Sequence, residues 1–169
     1  MRIEIEELLT LASQTPNPLL ILLDGLQDPR NVGAILRTAE AAGAQGIIIP
    51  RHRSAGITDT VRKTSTGASD WMPIAQVANL DQSIRLLKEN GYWIVGLEAN
   101  AKSWYTEIDA RRPLALVIGS EGKGLSRLLR DRCDYTAKIP MRGKITSLNA
   151  SVAAAIMMYE IVRQRMEKS

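Results

Sequence analysis

The sequence has little to offer metal or thiol chemistry. Its 169 residues contain one cysteine, Cys133, and one histidine, His52. A single thiol excludes an intramolecular disulfide and a cysteine cage for a metal, and a single imidazole cannot build a multi-histidine site. Catalysis in this chain is therefore expected to run without a metal and without histidine. No apolar run approaches the length of a membrane span. The opening stretch MRIEIEELLTLASQ is too acidic and too interrupted for a signal peptide, so a cytoplasmic location and no membrane association are expected. Internal repeats and low-complexity tracts are missing too. Cys133 itself reads as small apolar filler.

What is present is ordinary in amount and uneven in placement. Apolar residues make up 45% and charged residues 24% of the chain, values usual for a globular protein, and the length fits one domain with a sizeable core. The net charge is +4, which permits nucleic acid as a partner without requiring it. The basic residues cluster: Arg51 and Arg53, Arg62 and Lys63, Arg111 and Arg112, Arg127 with Arg130 and Arg132, Arg142 and Lys144. Most clusters fall in or beside predicted loops, where a phosphate backbone can reach them. Solubilising charge is an equal account of any one cluster. His52, between Arg51 and Arg53, reads either as part of a solvated loop or of one facing RNA.

Short β-rich apolar runs alternate with helical patterns. Strands are predicted at Leu19–Leu23, Gly46–Ile49, Trp93–Gly96, Ala115–Ile118 and Thr136–Ile139, with a weaker one near Met72–Val77. Continuously apolar runs point to strands covered on both faces. Helices are predicted over about Ile3–Ser13, over Val32–Ala42 with Asn31 as its cap, after Asn79 as far as Asn90-Gly91, and over Leu148–Met166. The last is apolar nearly all round, so one face can meet the sheet and another a second subunit. The expected fold is α/β: a single-domain, open, mostly parallel sheet with helices on both faces. Residues 1–18 are read as a short N-terminal helix and linker, and 19–169 as the domain proper.

In such sheets ligands gather beyond the carboxyl ends of the strands. Three segments bring polar residues and glycines there: Asp24–Asn31, Gly119–Gly124 and Ile139–Asn149. Gly119-Ser120-Glu121-Gly122-Lys123-Gly124 is not a P-loop, since Lys123 lacks the following Ser or Thr, and no G-x-G-x-x-G opens the first strand-to-helix turn. Taken alone, the glycine-rich stretch reads as a structural turn.

Taken in order, the segments resemble the three motifs of the SpoU (TrmH-like) family, within the knotted SPOUT methyltransferases. They are N-V-G-A-I-L-R-T-A at Asn31–Ala39, L-V-I-G-S-E-G-K-G-L at Leu116–Leu125, and I-P-M-R-G-K-I-T-S-L-N-A-S-V-A at Ile139–Ala153. The likeness runs from about Leu20 to the C-terminus. It is nearest to bacterial 23S ribosomal RNA guanosine 2′-O-methyltransferases, including the stretches D-G-L-Q-D-P and W-I-V-G.

The resemblance implies a C-terminal trefoil knot, S-adenosylmethionine as cofactor with S-adenosylhomocysteine as product, no metal, a homodimer, and RNA as substrate, ribosomal RNA favoured over transfer RNA. It implies that adenosine lies among the backbones near Leu97, Gly119, Ile139 and Leu148, where main-chain groups read the base edge and apolar side chains sandwich the ring. The catalytic set implied is Arg37, Asn31, Glu121, Ser147 and Asn149. A guanidinium hardly ever loses its proton, so Arg37 is read as binding the adjacent phosphate and stabilising the developing alkoxide. Glu121 would accept hydrogen bonds from Asn31 or Arg37, and Asn149 would hold the site together. Plainer readings are a helix cap for Asn31 or Ser147, a surface carboxylate for Glu121 and a solvated helix residue for Arg37. Many relatives carry an extra RNA-binding domain before the catalytic one. The chain is thus either a short member of the family or a catalytic domain cut from a longer parent. A homologue that grips RNA without catalysis is the competing reading; an unrelated nucleotide-binding α/β protein lacks the phosphate and dinucleotide signatures it would need.

Overall fold

Every residue of the run Leu19–Leu23 is buried, and its side chains enter two different cores by turns. Leu19, Ile21 and Leu23 join one, Leu20 and Leu22 the other. Alternation along a strand places successive side chains on opposite faces of a sheet, so a run that is apolar throughout must be covered on both. The computed structural model of the chain describes residues 1–52, 56–120 and 122–166. Its elements are β1 (Arg2–Ile3), α1 (Ile5–Ala12), β2 (Leu19–Asp24), α2 (Pro29–Ala41), β3 (Gly46–Pro50), α3 (Asp59–Thr64), α4 (Ala68–Trp71), β4 (Ile74–Val77), α5 (Leu80–Glu89), β5 (Trp93–Leu97), β6 (Ser103–Trp104), a 3-10 turn (Tyr105–Glu107), β7 (Leu114–Gly119), α6 (Arg127–Arg132), β8 (Tyr135–Lys138) and α7 (Ala150–Met166).

Among the described residues the eight strands form one sheet in the order β1-β4-β3-β2-β7-β5-β8-β6, with every strand pair parallel. One core lies between the sheet and α2, α3 and α7, through Val32, Ile35, Leu36, Val61, Met157 and Ile161. The other lies beneath α1, α5 and α6, through Leu8, Leu9, Ile84, Leu87 and Leu129. Helices on both faces of a parallel α/β sheet are thus the observed architecture. Each fully buried leucine or isoleucine of this double core contributes on the order of 1.5–3 kcal/mol.

Several local expectations change. Asn31 does not cap α2. The helix starts earlier, at Pro29, where the missing N–H costs nothing, and Asp28 accepts the Arg30 N–H at 2.9 Å. That bond, with the Arg30 side chain, holds the Asp28 carboxyl below its ordinary range. Asn79 does cap α5, accepting from Asp81 and Gln82. The predicted first helix is preceded by a strand the pattern did not suggest: two residues are too few for a periodicity, yet Arg2 and Ile3 pair with Ile74 and Ala75. The short α3, α4, α6 and β6 were also missed, each six residues or fewer. Gly33 explains how α2 and α3 approach so closely, since a Cβ there would stand 1.7 Å from the Thr64 Oγ1.

Candidate active site

Parallel pairing sets Asp24 beside Gly119, and Gly96 and Leu97 beside Thr136 and Ala137, so the carboxyl ends of β2, β7, β5 and β8 stand in a row. Beyond them opens a cavity of about 830 Å³, within the span usual for small-molecule sites, roughly 300–1,000 Å³. Leu97, Gly119, Ile139 and Leu148, drawn from three separate stretches of the sequence, all line it. Apolar walls come also from Ile118, Ala137, Met141 and Ala153, while Asn100, Ser120, Lys123, Thr146 and Ser147 supply polar groups. A lining that mixes apolar side chains with amides and hydroxyls suits a flat heteroaromatic ring bearing a polar tail.

The wall at β7 depends on one glycine. After Gly119 the chain doubles back: Ser120 N–H donates to the Gly124 carbonyl at 3.1 Å and Gly124 N–H to the Ser120 carbonyl at 2.9 Å. The returning strand lies on top of Gly119, whose Cβ would sit 2.2 Å from the Gly124 carbonyl carbon. Gly122 and Gly124 turn the chain with φ of +83° and +68°, values side chains resist. The loop is then fastened to β2, because Asp24 Oδ2 accepts the Ser126 N–H at 2.9 Å.

The third segment, residues 139–149, has no regular structure, and Arg142–Asn149 are exposed throughout. Its far end is fixed by Asn149. The Asn149 Oδ1 accepts from Ser151 N–H at 2.9 Å and Val152 N–H, capping α7, which leaves Nδ2 to donate to the Asn31 Oδ1 at 3.0 Å. Asn31 is buried, although it lies in the first turn of α2. This single bond joins the first motif to the third across 118 positions of sequence.

Asn149 and Ser147 therefore lie at the cavity, and Asn31 is bonded to its wall. Arg37 stands apart. It is an exposed residue of α2 and does not line the cavity. Glu121 lies outside the described residues. Sequence reasoning missed an ion pair at the mouth: Glu98, directly after β5, receives Arg130 Nε at 2.5 Å and Nη2 at 3.1 Å, and both residues line the cavity. The carboxylate raises the Arg130 guanidinium pKa still further. Glu98 follows the strand that W-I-V-G marks, so the rule placing ligands beyond strand ends held the signal. Among the described residues no three His, Cys, Asp or Glu side chains gather as a metal site would require, and no helix is long and apolar enough to cross a membrane.

Known proteins resemble this chain in sequence and fold. YacO of Bacillus subtilis (strain 168), which is named for the TrmH family of tRNA/rRNA methyltransferases, is 50% identical over 163 residues, covering 96% of this chain and 66% of its own length. A TrmH-family relative from Staphylococcus saprophyticus is 56% identical over 146 residues, 86% of this chain and 59% of that protein. The chain thus spans about 59–66% of the length of these relatives. The crystal structure of the SpoU methyltransferase AviRb from Streptomyces viridochromogenes with AdoMet superimposes with a TM-score of 0.84 at 33% identity, covering 91% of this chain and 60% of AviRb. A family model described as SpoU rRNA Methylase matches residues 18–159. By that match and these likenesses, the chain belongs to the SpoU rRNA methylase family.

Proposed function

We propose that this chain transfers a methyl group from S-adenosylmethionine to a ribose 2′-hydroxyl of structured RNA. The observation that carries the reading is the cavity itself. The stretches after β5, β7 and β8 meet over the strand ends, the latter two tied to the first motif and to β2 through Asn149–Asn31 and Asp24–Ser126, and AviRb, the same fold, was crystallised with AdoMet. The residues fit the donor: main-chain groups at Leu97, Gly119, Ile139 and Leu148 would take the adenine edge, and the apolar walls its faces. When bound, the donor supplies a methyl group on a sulfonium and leaves as S-adenosylhomocysteine.

The chain's own task is alignment. A methyl displacement needs the ribose oxygen held in line with the bond that breaks, and fixed geometry alone removes much of the barrier. Asn149 and Asn31 hold the α2 and α7 ends together, with Ser147 at the cavity wall. Arg37, exposed and outside that wall, acts on the RNA: it binds the phosphate next to the target and stabilises the alkoxide as the hydroxyl proton passes to phosphate or water. No residue of this set needs a metal.

Ribosomal RNA, at a guanosine of the 23S molecule, is the favoured substrate and transfer RNA the alternative, acted on in the cytoplasm. The working unit is a homodimer. Val152, Tyr159 and Met166 form an apolar stripe on the side of α7 away from the sheet, 47%, 48% and 76% exposed. A second copy is the partner that would cover it.

Calorimetric titration with S-adenosylmethionine is expected to give saturable binding, and labelled donor should pass methyl to RNA, with the label recovered as 2′-O-methylnucleoside after digestion. Label recovered on a base would end the ribose assignment. Absence of donor binding by the folded protein would end the assignment altogether.

A further inference from the structure

Of the three tryptophans, two stand at the amino ends of strands. Trp71 ends α4 just before β4, and Trp93 opens β5 with the Arg112 guanidinium 4.2 Å above its ring. Trp104 stands at the other end. It lies on the edge strand β6, in register with Lys138 at the end of β8. Lys138 is flanked in sequence by Ala137 and Ile139, which line the cavity, and Asn100, shortly before β6, lines it too. Neither Trp104 nor Lys138 lines the cavity itself; the pair stands next to it, at the same carboxyl end of the sheet.

We propose that Trp104 and Lys138 form a stacking platform for an unpaired base of the RNA beside the nucleotide being methylated. The inference rests on the function proposed above and adds the residue that grips the substrate. Trp104 is 44% exposed, with the Lys138 Nζ 4.3 Å from its ring centroid. An indole left this open contributes little to the core, and Trp104 is absent from both buried clusters. Its backbone is nevertheless fixed twice, by the pairing with β8 and by its N–H, which donates to the Glu107 Oε1 at 2.7 Å. A ring already ordered loses less entropy when a partner arrives. The ammonium stands over one face of the ring, which leaves the opposite face to the base, and it supplies a contact for the phosphate of the same nucleotide. A π-face with an adjacent cation is the chemistry by which proteins hold unpaired nucleotides of any sequence. It also explains why the aromatic is tolerated on an exposed edge, where proteins usually place charge.

The test uses the full chain with Trp71→Phe and Trp93→Phe, which leaves Trp104 as the fluorescent reporter. Titration with a short oligoadenylate is expected to quench its emission saturably. In the otherwise native chain, Trp104→Ala should raise KM for RNA about 10-fold, as loss of one stacked base does, while kcat and S-adenosylmethionine affinity stay within about 2-fold. Trp104→Phe should keep most of the affinity. Lys138→Gln should weaken RNA binding about 3-fold and flatten its dependence on salt by about one phosphate contact. Unchanged emission with oligoadenylate, or an unchanged KM in a Trp104→Ala protein that still methylates RNA, overturns the platform and leaves the proposed reaction standing. If Trp104→Ala fails to fold, the Phe and Gln variants decide the same question through KM and salt dependence. A native chain that binds no donor and methylates no RNA overturns the reaction and the platform together.

Discussion

The sheet has two halves that obey the same strand physics and do different things. In the half β1-β4-β3-β2, β2 is followed by α2, whose Gly33 lets α3 pack against it through side chains. In the half β7-β5-β8-β6, every strand bordering the cavity is followed by a stretch without regular structure, and Gly119 lets backbone pack on backbone. The first half is held by burial distributed over many leucines and isoleucines. The second is held at its rim by a few hydrogen bonds, since no residue of Arg142–Asn149 is buried. Stability is spread out, and the ligand site is concentrated where the backbone leaves the regular pattern. Its geometry depends on single residues.

Arg37 breaks that division and carries the largest expected effect. It lies on the regular half, on α2, yet is proposed to serve the reaction. Arg37→Ala should lower kcat by about 100- to 1,000-fold, the usual cost of losing one donor to a developing oxyanion, with the melting temperature and S-adenosylmethionine affinity unchanged. Arg37→Lys should recover little if the planar fork is what matters. Near-full activity with lysine, measured across pH, would remove that role.

Paired glycine substitutions sharpen the comparison next. Gly119→Ala drives a methyl group into the Gly124 backbone, so the 120–124 turn must lift off β7. A displacement near 1 Å at such a site costs about 100-fold in rate, so methyl transfer should slow by that much and donor affinity should fall, while the core stays folded. Gly33→Ala drives a methyl group into Thr64 instead. Its cost should appear as about 1–3 kcal/mol of stability, as overpacking does, with donor affinity of the folded protein unchanged. Urea unfolding and calorimetry, run on both variants, separate the outcomes. Equal patterns in the two would mean the halves do not differ as described.

Asn149 joins the halves, and its two functions can be parted. Asn149→Ala loses the α7 cap and the bond to Asn31, and should cost about 1 kcal/mol in stability together with donor affinity. Asn149→Asp keeps an oxygen for the Ser151 and Val152 N–H groups but turns a second oxygen toward the Asn31 Oδ1. Stability should be largely retained and donor affinity reduced several-fold. A loss confined to stability in both variants would reduce Asn149 to a cap.

The two halves also differed in how readable they were. Four of the five strong strands were visible because each is a run of apolar residues largely buried on both faces, whereas β8 buries only Ala137; α2 and α5 were visible because apolar residues recur on one side. The positions of the second-half loops could be read from strand ends and motif order. Their shape could not, because Gly119 against Gly124 and Asn149 against Asn31 are contacts at long range that leave no periodicity. The start of α2 was misread because Asn31 is a good cap by type, whereas Asp28 followed by Pro29 is a better one. Arg37 was read by resemblance alone, and nothing in its surroundings within one chain marks it. Trp104 carried no pattern at all, since β6 is two residues long.

The smallest expected effect concerns the underside of the second half, where regular packing returns. Cys133 lies against Gly96, with its thiol donating to the Leu129 carbonyl at 3.2 Å, and burial pushes its pKa from an ordinary 9.0 up to about 12. Burial likewise pushes Tyr92 from 10.0 up to about 12. Both groups are neutral when protonated, so folding favours the protonated form. Their contribution is complete below the unfolded values and is lost as pH rises from about 9 through about 12. The urea midpoint should hold steady through neutral pH and decline above about pH 9. In Cys133→Ala the decline should begin nearer pH 10, where tyrosine is left to titrate. At about pH 8 the native thiol should react with a disulfide reagent far more slowly than the unfolded one, because little thiolate is present. Reaction of the folded chain at the unfolded rate would mean that this side of the sheet opens as readily as the loops above it, and the contrast between packed sheet and tethered rim would have to be redrawn.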